Sequence, residues 1–337
     1  MENNRLILSK NLDRSLQSYS KVISELDSNH ESYLAVLLQD VPDNIRTECL
    51  GQRSNKFRLE HQEFVAKSVS GYLAMMTALN ENMAFVVESH RIGNEKAAGT
   101  VLEIRTRQAP PQGTIFLVNI YIKPTASYAE ATMLLSQIVT KCRGRMSKVI
   151  IAGDVNASSP LWDPNHDKIE ESARISQGYY QTKLQRGSTI AEFIRRHQLK
   201  AIQQATKQPK PTFKNGRNDK GSHIDVVIAG NKTERLWTEV WVIESLGKPR
   251  WPKTQRDLAK RSNEHTLSEG ELAPRHKYIL LNHKAPTNTR HNKPTLRQFV
   301  KPELIEADDF LAIRYRVKNL RKNWMRTADQ GELIGKL

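Results

Sequence analysis

The densest chemistry in the chain lies in Val149-Ile-Ile-Ala-Gly-Asp-Val-Asn-Ala157, where an apolar run ends in Gly153 and then presents Asp154 and Asn156. In extended backbone, residues i and i+2 leave the same face, so a carboxylate and a carboxamide emerge together at a strand's C-terminal end. A carboxylate placed there can bind a hard metal ion or act as a base. The amide can donate to a phosphate oxygen or orient a water. Gly, Asp and Asn are also common turn formers, and on those residues alone a plain turn is the better reading. Four further groups share the position. Asp225 follows Ser222-His223-Ile224 at the head of Val226-Val227-Ile228, and Asn119 and Tyr121 lie near the end of TIFLVNIYI. Asp40 closes YLAVLLQD, and Asn11 stands near the N-terminus. A strand-end acid is usually a solvated cap; what groups these residues is their order and their common place at strand ends.

The elements that must position them follow from periodicity. Apolar, β-branched and aromatic runs predict strands over Tyr33–Leu38, Ala84–Val87, Thr100–Ile104, Thr114–Ile122, Lys148–Ala152 (stopped by Gly153) and Ile224–Ala229. Helical spacing predicts helices over Asp13–Leu26, with Asp13 as N-cap, and over Tyr128–Cys142. A third is predicted over Ser188–Leu199, with Thr189 and Glu192 at capping-box spacing. Several strands follow one another without room for a helix. That pattern suits a mixed-sheet α/β sandwich better than a doubly wound parallel sheet. Neither G-x-G-x-x-G nor G-x-x-x-x-G-K-[ST] occurs.

Composition narrows the partner. The 337 residues include 52 Lys+Arg against 36 Asp+Glu, a net charge of +16, and a strongly basic protein most often meets a polyanion. Residues 248–301 hold thirteen Lys and Arg against four Asp and Glu, and read as a basic loop insertion followed by an extended linker. Helical pattern returns between Pro302 and Leu337, and the chain is expected to be the front part of something longer, or a remnant of it. Cys49 and Cys142 are the only cysteines; they make no disulfide framework and fit a reducing compartment. No apolar run approaches the length of a membrane span, and the N-terminus lacks the shape of a secretion signal.

Five ordered motifs carry a resemblance. They are Gly153-Asp-Val-Asn-Ala-Ser-Ser-Pro-Leu-Trp162, Arg186-Gly187, Pro211-Thr212-Phe213, Ser222-x-Ile224-Asp225 and Val118-x-Ile120-Tyr121-Ile122-x-Pro124. Together they resemble the endonuclease/exonuclease/phosphatase superfamily, the fold of DNase I and of apurinic-type endonucleases. More narrowly, the chain is similar to the N-terminal endonuclease domain of non-LTR (LINE-type, jockey-like) retrotransposon polyproteins. The match runs from about residue 6 to residue 285. It implies a four-layer α/β sandwich of two mixed β-sheets flanked by helices over residues 1–285, with a basic insertion at about 247–271. Residues 286–337 then form a linker and helical extension.

The resemblance also implies roles. Asn11 and Asp40 would hold a divalent metal, Mg²⁺ or Mn²⁺, with no small-molecule cofactor. Asp154 and Asn156 would place the water nucleophile and the phosphate, Tyr121 would contact the scissile phosphate, and Asp225 would orient His276. Asn119, Arg186 and Arg275 would meet nucleic acid. The implied activity is nicking of target DNA to leave a 3′-OH that primes reverse transcription, by a reverse transcriptase C-terminal in the parent polyprotein. The implied place is the nucleus, or the cytoplasm before import, and not outside the cell. Two departures stand against full activity. Asp40 occupies a position where the family has the longer Glu, and Arg275 replaces an Asp beside His276, with Glu269 or Glu271 as substitute acids. An inactive nucleic-acid-binding protein of the same fold is therefore the alternative, and a phosphatase of the superfamily the third reading.

Overall fold

In the computed structural model, residues 5–41, 75–80, 82–106, 114–175, 178–202, 204, 209–214, 221–234, 237–243 and 276–283 are described. The basic insertion, Arg275, Glu269, Glu271, Cys49 and the C-terminal extension lie outside these residues. The chain divides into two compact units, Met1–Ala285 and Pro286–Leu337, and every described element belongs to the first.

Eleven described strands form two sheets. In chain order they are β1 (Arg5–Asn11), β2 (Tyr33–Gln39), β3 (Met75–Leu79), β4 (Ala84–Gly93), β5 (Ala97–Thr106), β6 (Thr114–Ile122), β7 (Val149–Asp154), β8 (Leu199–Ala201), β9 (Asp225–Gly230), β10 (Trp237–Ile243) and β11 (Tyr278–His283). One sheet runs β10-β11-β1-β2-β3 and the other β4-β5-β6-β7-β9-β8. β1–β2 and β6–β7 are parallel pairs and the rest antiparallel, so both sheets are mixed. The helices are α1 (Leu16–Asn29), α2 (Tyr128–Lys141), α3 (His166–Ile175), α4 (Tyr179–Arg196) and the short α5 (Asn231–Glu234). None of the described helices is long and apolar enough to cross a membrane.

Alternation along the strands builds the layers. Leu6, Leu8, Val36 and Leu38 pack with Val22 and Leu26 of α1 on the outer face of the first sheet. Val118, Ile120, Ile151 and Ile228 pack with Leu134, Ile138, Ile190 and Ile194 of α2 and α4 on the outer face of the second. Their in-between neighbours, among them Ile7, Ala35, Leu37, Leu117, Ile150, Ala152, Val227, Ala229 and Ile279, meet between the sheets. Each β2 and β7 residue is buried, as expected of strands covered on both faces. This is the four-layer sandwich that the resemblance implied.

Several predicted boundaries move, among them the following. The first helix begins at Leu16, because Ser15 Oγ accepts the Ser18 N–H at 3.1 Å and is the working cap. Asp13 sits instead in a left-handed turn with φ 49°. Gly153 does not stop its strand. It lies within β7 at φ 150°, where a Cβ would come 1.9 Å from Ile120 O, so the glycine permits close approach of β6. The predicted helix over Ser188–Leu199 is the second half of α4, and Leu199 already opens β8. Thr189 is thus interior and its hydroxyl donates to Gln185 O at 3.0 Å. The capping box that forms is Ser127 with Glu130 at the start of α2, and Cys142 caps that helix rather than ending within it.

Gly187, in the middle of α4, faces Ser158; a Cβ there would come 1.7 Å from Ser158 O. Glycine-to-alanine changes inside helices normally stabilise by about 0.5–1 kcal/mol. Here the sign should reverse, because the obstructing atom is backbone. Gly187→Ala is expected to destabilise by about 2 kcal/mol, read from the urea midpoint at unchanged m-value.

Candidate active site

The inter-sheet face of each central strand is apolar for most of its length and turns polar at one end. Ile7 gives way to Ser9 and Asn11, Leu37 to Gln39, Leu117 to Asn119 and Tyr121, Ala152 to Asp154, and Val227 to Asp225. Register sets the polar ends side by side: Asn11 pairs with Gln39, Tyr121 with Asp154, and Asp154 with Asp225. The two sheets are then joined through these groups. Asn11 Nδ2 donates to Asp154 Oδ2 at 2.8 Å, and Gln39 Nε2 donates to Asn119 Oδ1 at 2.7 Å.

At the centre lie Asp154, Asp225 and His276, all buried, with one ligand-type atom from each within 4.8 Å of the others. His276 Nδ1 is 3.4 Å from Asp225 Oδ2, and His276 Nε2 is 3.9 Å from Asp154 Oδ2. The first contact orients the ring. The second is too long for a direct hydrogen bond and leaves the width of one bridging atom. Burial, and then the Asp225 charge, raise the Asp154 carboxyl. His276 and the hydrogen bonds from Asn11 and the Asn156 N–H oppose that rise. Burial alone would lower His276, but the Asp225 charge, its hydrogen bond and the Asp154 charge raise it overall. The Tyr121 phenol is raised by burial and by the charges of Asp40 and Asp154, so it stays a neutral donor.

Sequence motifs read only as markers turn out to hold this centre. Thr212 Oγ1 accepts the Ile224 and Asp225 N–H groups at 3.1 and 3.2 Å, fixing the head of β9. The Phe213 ring lies 4.7 Å from the His276 ring, and Phe213 forms single bridges to both Ser222 and His276. Lys10 is a residue that motif reading missed. It is buried in β1, its ammonium donates to the His276 carbonyl, and burial lowers it to about 7 against the pull of Asp225. Nothing in the sequence marked it, because β1 does not read as a strand there.

Asn156 belongs to the same end, at φ 44°, but its amide donates to Ile122 O at 2.9 Å while its N–H donates to Asp154 Oδ1 at 2.8 Å. It shapes the loop that carries Asp154. Two residues expected to meet nucleic acid lie inside instead. Asn119 is fully buried and donates to Leu38 O and Met76 O, both at 3.1 Å. Arg186 is fully buried and donates to Pro124 O, Ala126 O and Asn156 O. A side chain closed in by its own backbone cannot reach a DNA phosphate, so both are positioning residues.

The metal expectation also changes. Asn11 Oδ1 accepts the Asp13 N–H at 2.8 Å and shares a hydrogen bond with the Tyr121 phenol, while its Nδ2 is on Asp154. Asp40 adopts φ 49° and its carboxylate is paired with Arg14 Nε at 3.2 Å. A divalent ion at Asn11 and Asp40 would therefore compete with the Asp13 N–H and the Arg14 guanidinium for these oxygens. Asp154, Asp225 and His276 have metal-type spacing, and mixed carboxylate and imidazole donors suit Mn²⁺ better than Mg²⁺.

Comparison with known proteins bears on the fold. The endonuclease-reverse transcriptase family profile matches residues 115–247. The structure is similar to the endonuclease domain of TRAS1, a telomere-specific non-LTR retrotransposon, with TM-score 0.52 and 18% identity, covering 83% of this chain and 98% of that one. It is similar to D. rerio TDP2 in complex with a single-stranded DNA product, with TM-score 0.51 and 14% identity over 84% and 100% of the two chains. It is also similar to the AP endonuclease LMAP of Leishmania major, with TM-score 0.51 and 13% identity over 84% and 89%. No curated protein matches the chain in sequence. The profile likeness is confined to residues 115–247, and the likeness to these solved structures is one of fold.

Proposed function

We propose that this protein is the endonuclease of a non-LTR retrotransposon, acting in the nucleus on target DNA and leaving a 3′-OH that primes reverse transcription by a C-terminal partner domain. The observation that carries the reading is the buried Asp154–His276–Asp225 group at the polar end of both sheets. Asp154, held by Asn11 and the Asn156 N–H, takes the proton from the attacking water. His276, kept charged by Asp225, donates from Nε2 to the oxygen that gains charge as the phosphodiester breaks. The neutral Tyr121 phenol supplies a further donor toward the phosphate. The family resemblance and the basic composition support DNA as the substrate.

The test is nicking of supercoiled plasmid by the purified chain in Mg²⁺ and in Mn²⁺, followed by DNA ligase. Ligase reseals only 5′-phosphate and 3′-OH ends, so resealable nicks are the expected product. The second reading, DNA binding without cleavage, is favoured by the Arg14–Asp40 pair. Under it the plasmid stays supercoiled while DNA is retained, with an affinity that falls steeply with salt.

A further inference from the structure

Two buried ring nitrogens, Trp162 Nε1 and His223 Nε2, have no hydrogen-bond partner among the described residues. Trp162 is 8% exposed and His223 3%. The neighbours of His223 place its proton. Lys210 N–H donates to Gln204 Oε1 at 2.9 Å and Gln204 Nε2 donates to Lys210 O at 2.7 Å, so the backbone fixes which end of that amide is which. The same Nε2 lies 3.4 Å from His223 Nδ1 and can only donate to it. Nδ1 therefore accepts, and the ring proton sits on Nε2. Burial lowers the imidazole below its ordinary value, over the opposing charges of Asp163 and Asp225, so the ring is neutral. Trp162 and His223 line one cavity of about 30 Å³, whose other walls include Ile202, Val240, Ile279 and Asp225. Asp225 is the acid whose Oδ2 faces His276 Nδ1.

We propose that this cavity is a built site for internal water: one molecule accepts from Trp162 Nε1 and His223 Nε2 and donates to the Asp225 carboxylate. The walls decide the chemistry of the occupant. Two N–H donors call for an acceptor, which excludes a cation. An apolar occupant would leave both donors unsatisfied in the interior. An anion would meet the Asp225 charge in the cavity wall, and the lysines that act on His223, Lys183 and Lys277, are matched by Asp163 and Asp225. Water both accepts and donates. It needs on the order of 10–15 Å³, which the cavity has. A water bonded to Asp225 fixes the carboxylate that orients His276. Trp162 and His223 are then positioning residues, acting on His276 through water and Asp225. Their effect on catalysis rests on the nuclease reading; the occupancy by water does not.

Nuclear magnetic resonance of the ¹⁵N-labelled chain tests the occupancy. In water-selected NOE and ROE spectra, the Trp162 indole N–H and the His223 Nε2–H should each show a cross-peak to water. Its sign should be opposite in the two spectra, which a long-lived bound water gives and proton exchange does not. Trp162→Phe identifies the indole signal among the five tryptophans. Absence of the peaks, or a saturable shift of both signals on titration with sodium bromide, would overturn the proposal, and the wild-type spectrum decides this whether or not the variants fold. The link to Asp225 is read from His276. In His223→Phe the water loses an anchor, so the His276 Nδ1 proton, left as the stronger donor to Asp225, should move downfield. In His223→Gln, whose amide still donates, it should stay in place. An unmoved proton in His223→Phe removes the link. Nicking by His223→Phe should fall about tenfold in kcat at unchanged KM, with recovery in His223→Gln. A wild type that does not nick would sink the nuclease reading and leave the water result untouched.

Discussion

Asp154→Asn is expected to lower plasmid nicking by about 10³-fold, and His276→Ala by a similar factor, the range that a positioned acid or base supplies. Both side chains are buried at the meeting point of the two sheets, and Nε2 of one faces Oδ2 of the other across 3.9 Å. Their pH behaviour separates the roles. Asp154 works unprotonated, and burial and Asp225 raise it. The acid limb of the rate profile should therefore lie above the range of a free carboxylic acid. His276 works protonated, and the Asp225 charge and hydrogen bond contribute to its net rise above an ordinary imidazole. Activity should thus fall only as pH climbs past that raised value. Asp225→Asn removes the charge that holds the imidazolium, so the alkaline limb should move to lower pH while the protein still folds. A nicking profile from about pH 5 to about pH 9 reads both limbs. An alkaline limb that stays in place in Asp225→Asn would rule out His276 as the charged donor.

Arg186→Ala is expected to be the most destabilising substitution in the helices, by about 4 kcal/mol in urea unfolding. The side chain is fully buried and its donors reach three backbone carbonyls, those of Pro124, Ala126 and Asn156. Truncation strips those carbonyls of their partner, each at about 1–3 kcal/mol, and leaves a cavity besides. Arg186→Lys should rescue little, because one ammonium cannot reproduce a planar fork that serves two loops. Arg196→Ala, ten residues along the same helix, is the control. Its guanidinium is exposed and pairs with Glu192 one turn away, so the change should stay within about 0.5 kcal/mol. The Arg186 loss should also reach the site, since the Asn156 carbonyl it holds belongs to the loop that fixes Asp154. Equal midpoints for the two variants would show that Arg186 does not hold these loops.

Some of this was legible in the chain itself. β6 has the bounds read from Thr114–Ile122, and β2, β7 and β9 begin or end within two residues of the reading. Such runs are apolar on both faces, and burial on both faces leaves extended backbone little alternative. The ordered motifs also carried the resemblance that implied the four layers and the pairing of Asp225 with His276, both of which the structure has. β1, β3, β8, β10 and β11 were missed as strands; in β1 the run RLILSKN mixes Arg5 and Lys10 with apolar residues. A strand of that kind is stabilised by its neighbours in the sheet, which periodicity does not display.

Side-chain roles divide along the same line. Residue type fixed what Asp154, Asp225 and His276 can do, since only a few groups move protons near neutral pH. The roles of Arg186, Asn119, Arg14 and Asp40 were decided by tertiary structure. The resemblance sets Arg186 on nucleic acid, yet α4 turns it inward onto three carbonyls. The resemblance sets Asn119 on nucleic acid, yet the first sheet closes over it. The resemblance makes Asp40 a metal ligand, yet the left-handed turn at Asp13 and Arg14 delivers a guanidinium to it. In each case the functional group is local but its partner lies far along the chain or across a turn. Which partner arrives depends on register and backbone hand, and those are settled only when the sheets pack.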